Sequence, residues 1–243
     1  MAQLLLLPST QKQLIMLGCR NDHPEDTLQE QLDITEIFSS IQGETSLSGL
    51  PTTFIRLARC NLRCSWCDTT FSFSRGTRHS LHQLLAAANA FGCPYVCVTG
   101  GEPLLQPAVH ALMALLLDNG YLISLETGGS LPIDGVDARV RIILDIKCPA
   151  SGMSEKNCWS NLQGLRSGDE VKFVLADQKD YEYAKEVCAN YALFERPIEL
   201  LFSPVHNVLD PQKLVQWILH DRLSVRLNLQ IHKYIWEPMT RGV

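Results

Sequence analysis

From residue 33 onward, short β-branched and aliphatic runs alternate with segments of helical period, and few architectures tolerate that pattern. Strands are expected at Thr53–Leu57, Tyr95–Val98, Leu122–Leu125, Arg141–Ile146, Val171–Leu175, Glu199–Phe202 and Val225–Leu229. Helices are expected at Leu81–Phe91, with Ser80 as N-cap, at Leu104–Asp118, closed by Asn119-Gly120, and at Tyr181–Tyr191 and Pro211–Leu219. Alternation of this kind implies parallel strands with right-handed crossovers. A doubly wound open sheet and a barrel both satisfy it.

In either architecture the carboxyl ends of the strands share one face, where ligands bind. The polar and Gly-rich segments fall at those ends. Arg56 and Cys60 follow the first expected strand, Thr99–Pro103 the second, Glu126–Gly129 the third, Asp145–Cys148 the fourth and Ser203–His206 a later one. Five such segments converge on one pocket.

Cys60, Cys64 and Cys67 sit in that pocket's first segment with C-x3-C-x2-C spacing. Three thiolates on a short loop can each hold one iron of a cubane cluster, leaving the fourth iron open to a small molecule. Structural zinc normally closes with four protein ligands, often as two C-x2-C-like pairs, and no second pair exists here. His79 and His82 are near enough in sequence to supply a fourth ligand, so zinc stays in contention. Cysteines serving as small core residues fit poorly among the polar and charged neighbours of this loop.

A chain of 243 residues, 46% hydrophobic and 19% charged, reads as a globular enzyme with one self-sufficient core. No apolar run approaches the ~20 residues needed to span a membrane, and Leu4–Leu7 lack the basic flank of a secretory signal. Nine cysteines, three of them clustered, make no disulfide framework and suit a reducing cytoplasm. A net charge of −5 argues against a nucleic-acid partner. Residues 1–32 read as an N-terminal extension and 33–243 as the catalytic domain.

Several segments carry chemistry of their own. Gly100-Gly101-Glu102-Pro103 is a tight strand-to-helix turn. Beside a cluster its glycines would let a ligand lie on the backbone, and Glu102 would balance a ligand ammonium. Thr69, directly after Asp68, could give one oxygen to Mg²⁺, or simply cap a turn. Gln42-Gly43-Glu44 offers paired hydrogen bonds and an acceptor for a planar heterocycle, and Arg56 a bidentate clamp for a carboxylate. A polar surface loop with a salt bridge is the plainer reading of the same residues. Lys147 and Lys172 sit at or within strands, and Gln230-Ile231-His232-Lys233 present polar groups after the last one.

The cysteine signature and the Gly-Gly-Glu-Pro turn resemble those of radical S-adenosylmethionine (SAM) enzymes. Glu36–Glu44, Phe54–Leu57, Cys60–Thr69, Glu126–Gly129, Asp145–Lys147, Gln230–Lys233 and the closing Arg241-Gly242-Val243 narrow the resemblance to the 7-carboxy-7-deazaguanine synthases of the queuosine and deazapurine pathway. It runs through residues 34–243. It implies a modified, incomplete (β/α) barrel, a homodimer, and conversion of 6-carboxy-5,6,7,8-tetrahydropterin to 7-carboxy-7-deazaguanine with loss of ammonia. An external electron donor such as flavodoxin or ferredoxin is implied too. Cys60, Cys64 and Cys67 would hold [4Fe-4S], and Thr69 would bind Mg²⁺. Trp66, Cys67, Asp68, Gly101 and Glu102 would contact SAM. So would Asp145, Ile146 and Lys147, and Ser203, Pro204, Val205 and His206. Ile41, Gln42, Gly43, Glu44, Arg56, Thr99, Gln230 and His232 would contact substrate. Whether the chain's terminal carboxylate joins them is left open. A glycyl-radical activating enzyme shares Gly-Gly-Glu-Pro but has no use for Gln42-Gly43-Glu44. A zinc-binding module would be no enzyme at all.

Overall fold

The computed structural model describes residues 30–243; the expected N-terminal extension falls mostly on residues 1–29, outside the described residues. The first described element is β1 (Gln31–Ile41), whose Leu32 is fully buried. β1 pairs antiparallel with β2 (Pro51–Leu57), setting Glu36 opposite Arg56, and on its other side with β3 (Thr77–Ser80). These antiparallel edge strands were not expected from the alternation. A register shift between Ile34 and Glu36 breaks the period-2 pattern of β1. The Gln42-Gly43-Glu44 segment therefore joins β1 to β2, rather than preceding the first strand.

The remainder follows the expected α/β order. α1 (Leu81–Phe91) starts at a capping box, with the Gln83 backbone N–H donating to Ser80 Oγ and the Ser80 N–H donating to Gln83 Oε1. β4 (Tyr95–Gly100) leads to α2 (Val109–Asp118). That helix starts five residues later than expected. Pro103–Leu105 form a 3-10 turn, and Pro107 disfavours helical backbone at Gln106. Then come β5 (Leu122–Thr127), β6 (Arg141–Ile146), a short α3 (Ser160–Gly164) and β7 (Glu170–Leu175). α4 (Gln178–Asn190) is capped by Asp177, ahead of β8 (Glu199–Pro204). α5 (Pro211–Asp221) carries Pro at its first position, where the missing N–H costs nothing. β9 is only Arg226–Leu227, and α6 is His232–Ile235.

The strand order is β3-β1-β2-β4-β5-β6-β7-β8-β9. From β2 to β9 the parallel neighbours follow chain order without reversal, so the sheet has no switch point of the doubly wound kind. It curls as a barrel that does not close. Alternate residues then face opposite ways. Leu57, Val98, Leu125, Leu144, Phe173 and Phe202 belong to a buried core shared with Leu84 and Leu112 of the helices, Tyr181 and Leu214. Each such side chain contributes roughly 1.5–3 kcal/mol by leaving water. The alternate set, including Arg56, Thr99, Glu126, Asp145, Lys172 and Ser203, lines the lumen instead.

The loop after β1 crosses that lumen. It closes on itself through Gln42 N–H to Leu50 O (2.8 Å) and Gly49 N–H to Gln42 O (2.7 Å). Thr45 N–H donates to Asn228 Oδ1 (2.7 Å) and Ser46 Oγ to Glu170 Oε1 (2.5 Å), at the first residue of β7. The loop thereby joins β1 and β2 to β7 and to the segment after β9 across the lumen. Among the described residues no helix is long and apolar enough to cross a membrane.

Candidate active site

A cavity of about 770 Å³ opens at the carboxyl ends of the parallel strands. The cysteine loop forms part of its wall, and β4 presses against that loop. Gly101 N–H donates to Leu57 O (3.1 Å), and Glu102 N–H to Arg59 O (2.9 Å). Only glycine fits there: a Cβ at Gly100 would lie 2.3 Å from Leu57 O, and one at Gly101 2.1 Å from Arg59 O. Ser65 fastens the other side of the loop, donating from its backbone N–H to Ser151 O and from Oγ to Ala150 O.

Cys60, Cys64 and Cys67 are half-buried and all face the cavity. Burial pushes the Cys60 and Cys64 thiols above their usual value, and the Lys147 ammonium opposes that shift in both. Three neighbouring thiols under one cation fit a cubane cluster, which spreads its thiolates over separate irons and is bound with release of their protons. A zinc site fits less well. His79 and His82 do not line the cavity, and His79 Nδ1 lies 3.0 Å from Thr77 O. Among the described residues no His, Cys, Asp or Glu side chains gather as a single ion requires.

All but one of the expected site residues line this cavity. The exception is Glu102. It is fully buried, and its carboxylate accepts from Leu104 N–H (3.1 Å), Thr127 Oγ1 (2.9 Å) and Gly128 N–H (2.8 Å). Those bonds brace one loop on the next. Burial outweighs them and raises its pKa. Ser203 has also spent its donor, on Asn228 O (2.6 Å). Thr69 Oγ1 faces the cavity 3.7 Å from Cys67 Sγ.

The charges on the cavity wall fall into groups. Lys172 Nζ lies 2.9 Å from Glu44 and 3.4 Å from Asp145, which also receives Lys147 at 3.0 Å. Gln230 Nε2 donates to the same Glu44 (2.8 Å). Glu44 is thus an engaged ion-pair partner rather than a vacant acceptor. Lys233 pairs with Asp68 at 2.6 Å; burial alone would raise that carboxyl, but the ammonium wins and holds it below the usual range. These groups balance. Two others do not. Arg56 and Arg241 share one carboxylate, Glu36, at 2.8 and 3.4 Å. Glu126 accepts from Thr99 Oγ1 (2.9 Å) and Gln42 Nε2 (3.3 Å) and, among the described residues, has no cation within 4 Å. The cavity is polarised: surplus guanidinium at one place, an acceptor carboxylate at another. Phe38 and Phe54, stacked at 4.8 Å, supply an apolar wall.

Glu36, Glu126 and Lys233, which the sequence placed in site segments without a role of their own, also line the cavity, as does the closing segment 238–243. The signal for Glu126 was present, since it sits two positions after Ser124 on the inward face of β5. The closing segment offers no periodicity to read.

Comparison with known proteins follows the same lines. Residues 54–150 match the Radical SAM superfamily. The chain is 46% identical over 215 residues to the 7-carboxy-7-deazaguanine synthase of Chlorobaculum tepidum, covering 87% of this chain and 97% of that protein. It is 41% identical over 226 residues to the synthase of Koribacter versatilis, covering 87% and 100%. The crystal structure of QueE from Escherichia coli superposes with a TM-score of 0.67 at 23% identity, over 82% of this chain and 93% of that one, a likeness of fold.

Proposed function

Because the chain belongs to the 7-carboxy-7-deazaguanine synthase family of radical SAM enzymes, we propose that it converts 6-carboxy-5,6,7,8-tetrahydropterin to 7-carboxy-7-deazaguanine with release of ammonia. Cys60, Cys64 and Cys67 hold the [4Fe-4S] cluster in this reading. Bound there, the cluster would supply the electron, and SAM the radical chemistry, that opens the reaction at C6 of the substrate.

The chain's own residues bind and orient. Trp66, Asp68, Gly101, Asp145–Lys147 and Ser203–His206 form the SAM side of the cavity, next to the cysteines. Thr69 would give one oxygen to a Mg²⁺ that orients the substrate. Thr99, Gln230 and His232 contact the substrate, as do the backbone and side chains of Ile41–Glu44. Glu126, held by Thr99 and Gln42, accepts from the N–H groups of the pterin edge. Arg56 takes the carboxyl group. Orienting C6 toward the radical is the main service of this wall. The protein acts in this reading as a cytoplasmic homodimer reduced by a flavodoxin or ferredoxin.

One coincidence carries the reading: three clustered thiols open on the same cavity as an unpaired acid and a surplus guanidinium, which together match a ring with N–H donors and a carboxylate. The test is anaerobic reconstitution followed by product analysis with SAM, Mg²⁺, a reductant and the carboxy-tetrahydropterin. The deazaguanine and ammonia should form in equal amounts. Protein that carries four irons and cleaves SAM but forms neither product refutes the assignment.

A further inference from the structure

Residues 238–243 close part of the cavity wall. Arg241 seats them: its guanidinium lies 4.0 Å from the Phe71 ring centroid. Arg241 Nε reaches Glu36 Oε2 (3.4 Å), while Arg56 Nε reaches Oε1 of the same carboxylate (2.8 Å). One anion thus holds two guanidiniums by their Nε edges. A guanidinium has five N–H donors in a fixed fork. Among the described residues the Nη groups of these two arginines make no other side-chain bond. Their charge exceeds that of Glu36, while the neighbouring lysines are already matched by Glu44, Asp145 and Asp68.

Resting on the reaction proposed above, we infer that Arg241 is the second arm of a clamp for the substrate carboxylate. Arg56 is the first arm, and Glu36 is the positioning residue that presents both. The clamp joins the closing segment to β2 through the ligand itself. A pterin without the carboxyl group would leave both guanidiniums sharing Glu36 alone, the largely buried Arg56 among them, so the clamp selects for the acid. Stacking on Phe71 keeps Arg241 planar and in place before a ligand arrives.

Calorimetric titration of anaerobically reconstituted protein with SAM and Mg²⁺ tests this, using 6-carboxypterin and pterin as probes. Wild type should favour the carboxylated ring by roughly ten- to a hundredfold, the range for a charge-assisted hydrogen-bond pair. Arg241→Ala should erase about tenfold of that preference and Arg241→Lys less, since an ammonium restores charge without the fork. Affinities for SAM and for pterin should stay put in both, which separates loss of the clamp from loss of fold. Arg241→Ala with undiminished preference, in protein that still forms product as wild type, overturns the clamp alone. Wild-type protein that neither binds 6-carboxypterin nor forms product overturns clamp and reaction together.

Discussion

Lys172 shows how one residue can settle the charge of a whole cavity. Its ammonium, on a side chain only 11% exposed, sits between Glu44 and Asp145. Burial alone would lower its pKa, but the two carboxylates raise it well above the usual value. Glu44 shows the converse: burial alone would raise its carboxyl, yet Lys172 and Gln230 hold it at about 2. Removing the lysine strands the buried Glu44, while Asp145 keeps Lys147. Lys172→Met should therefore cost roughly 3–5 kcal/mol in urea unfolding, and Lys172→Arg clearly less. The pH dependence has a defined sign. Glu44 is depressed in the folded state, so its stabilisation is present above its unfolded pKa of 4.5 and lost as pH falls toward about 2. Glu44→Gln should flatten the acid limb of the stability curve in that window. Thr69 is tested by metal: Thr69→Ala should lose most of the Mg²⁺ stimulation of turnover, while Thr69→Ser keeps part of it. Identical wild-type rates in chelator and in excess Mg²⁺ would leave Thr69 as a turn residue.

Among the elements, the loop between β1 and β2 links the most groups. It reaches Lys172, Glu170, Asn228 and Gln230 across the lumen. It also meets α6 closely enough that a Cβ at Gly43 would lie 2.0 Å from His232 Nδ1. Gly43→Ala should therefore push the imidazole or the loop aside and raise the substrate KM severalfold, with SAM affinity kept; an unchanged KM would show that the loop yields freely. Such cross-lumen ties are what the sequence could not disclose. Parallel strands were legible because each is a short, nearly continuous β-branched and aliphatic run, such as Ile142–Leu144. β1 hid behind its bulge, and β3 is four residues with no apolar member. The cavity residues were legible as a group because strand ends carry the chemistry in this architecture. The burial of Glu102 against Thr127 and Gly128 was not legible, because its motif carries no sign of those partners. The closing Arg-Gly-Val was legible as a family segment, but nothing in it announces the return of Arg241 to Glu36 on β1.

At the scale of the molecule, the cysteine loop is bound to the barrel by backbone hydrogen bonds from Gly101, Glu102 and Ser65, so whatever the thiols hold is linked to global stability. Reconstituted protein should melt above the apo form, by mass action on the folded state, and chelation should reverse the gain. Cys64→Ala should shrink that difference and abolish SAM cleavage; an unaltered melting gain with four irons retained would remove Cys64 from the ligand set. The barrel's failure to close has a separate consequence. The described sheet ends on β3, four residues long with Arg78 at its centre, and on β9, two residues long. An unpaired strand edge is a template for another chain, and short or charged edges are poor templates. The gap that lets a pterin reach the lumen can therefore stay open without recruiting foreign strands, so access to the lumen does not have to be traded against aggregation.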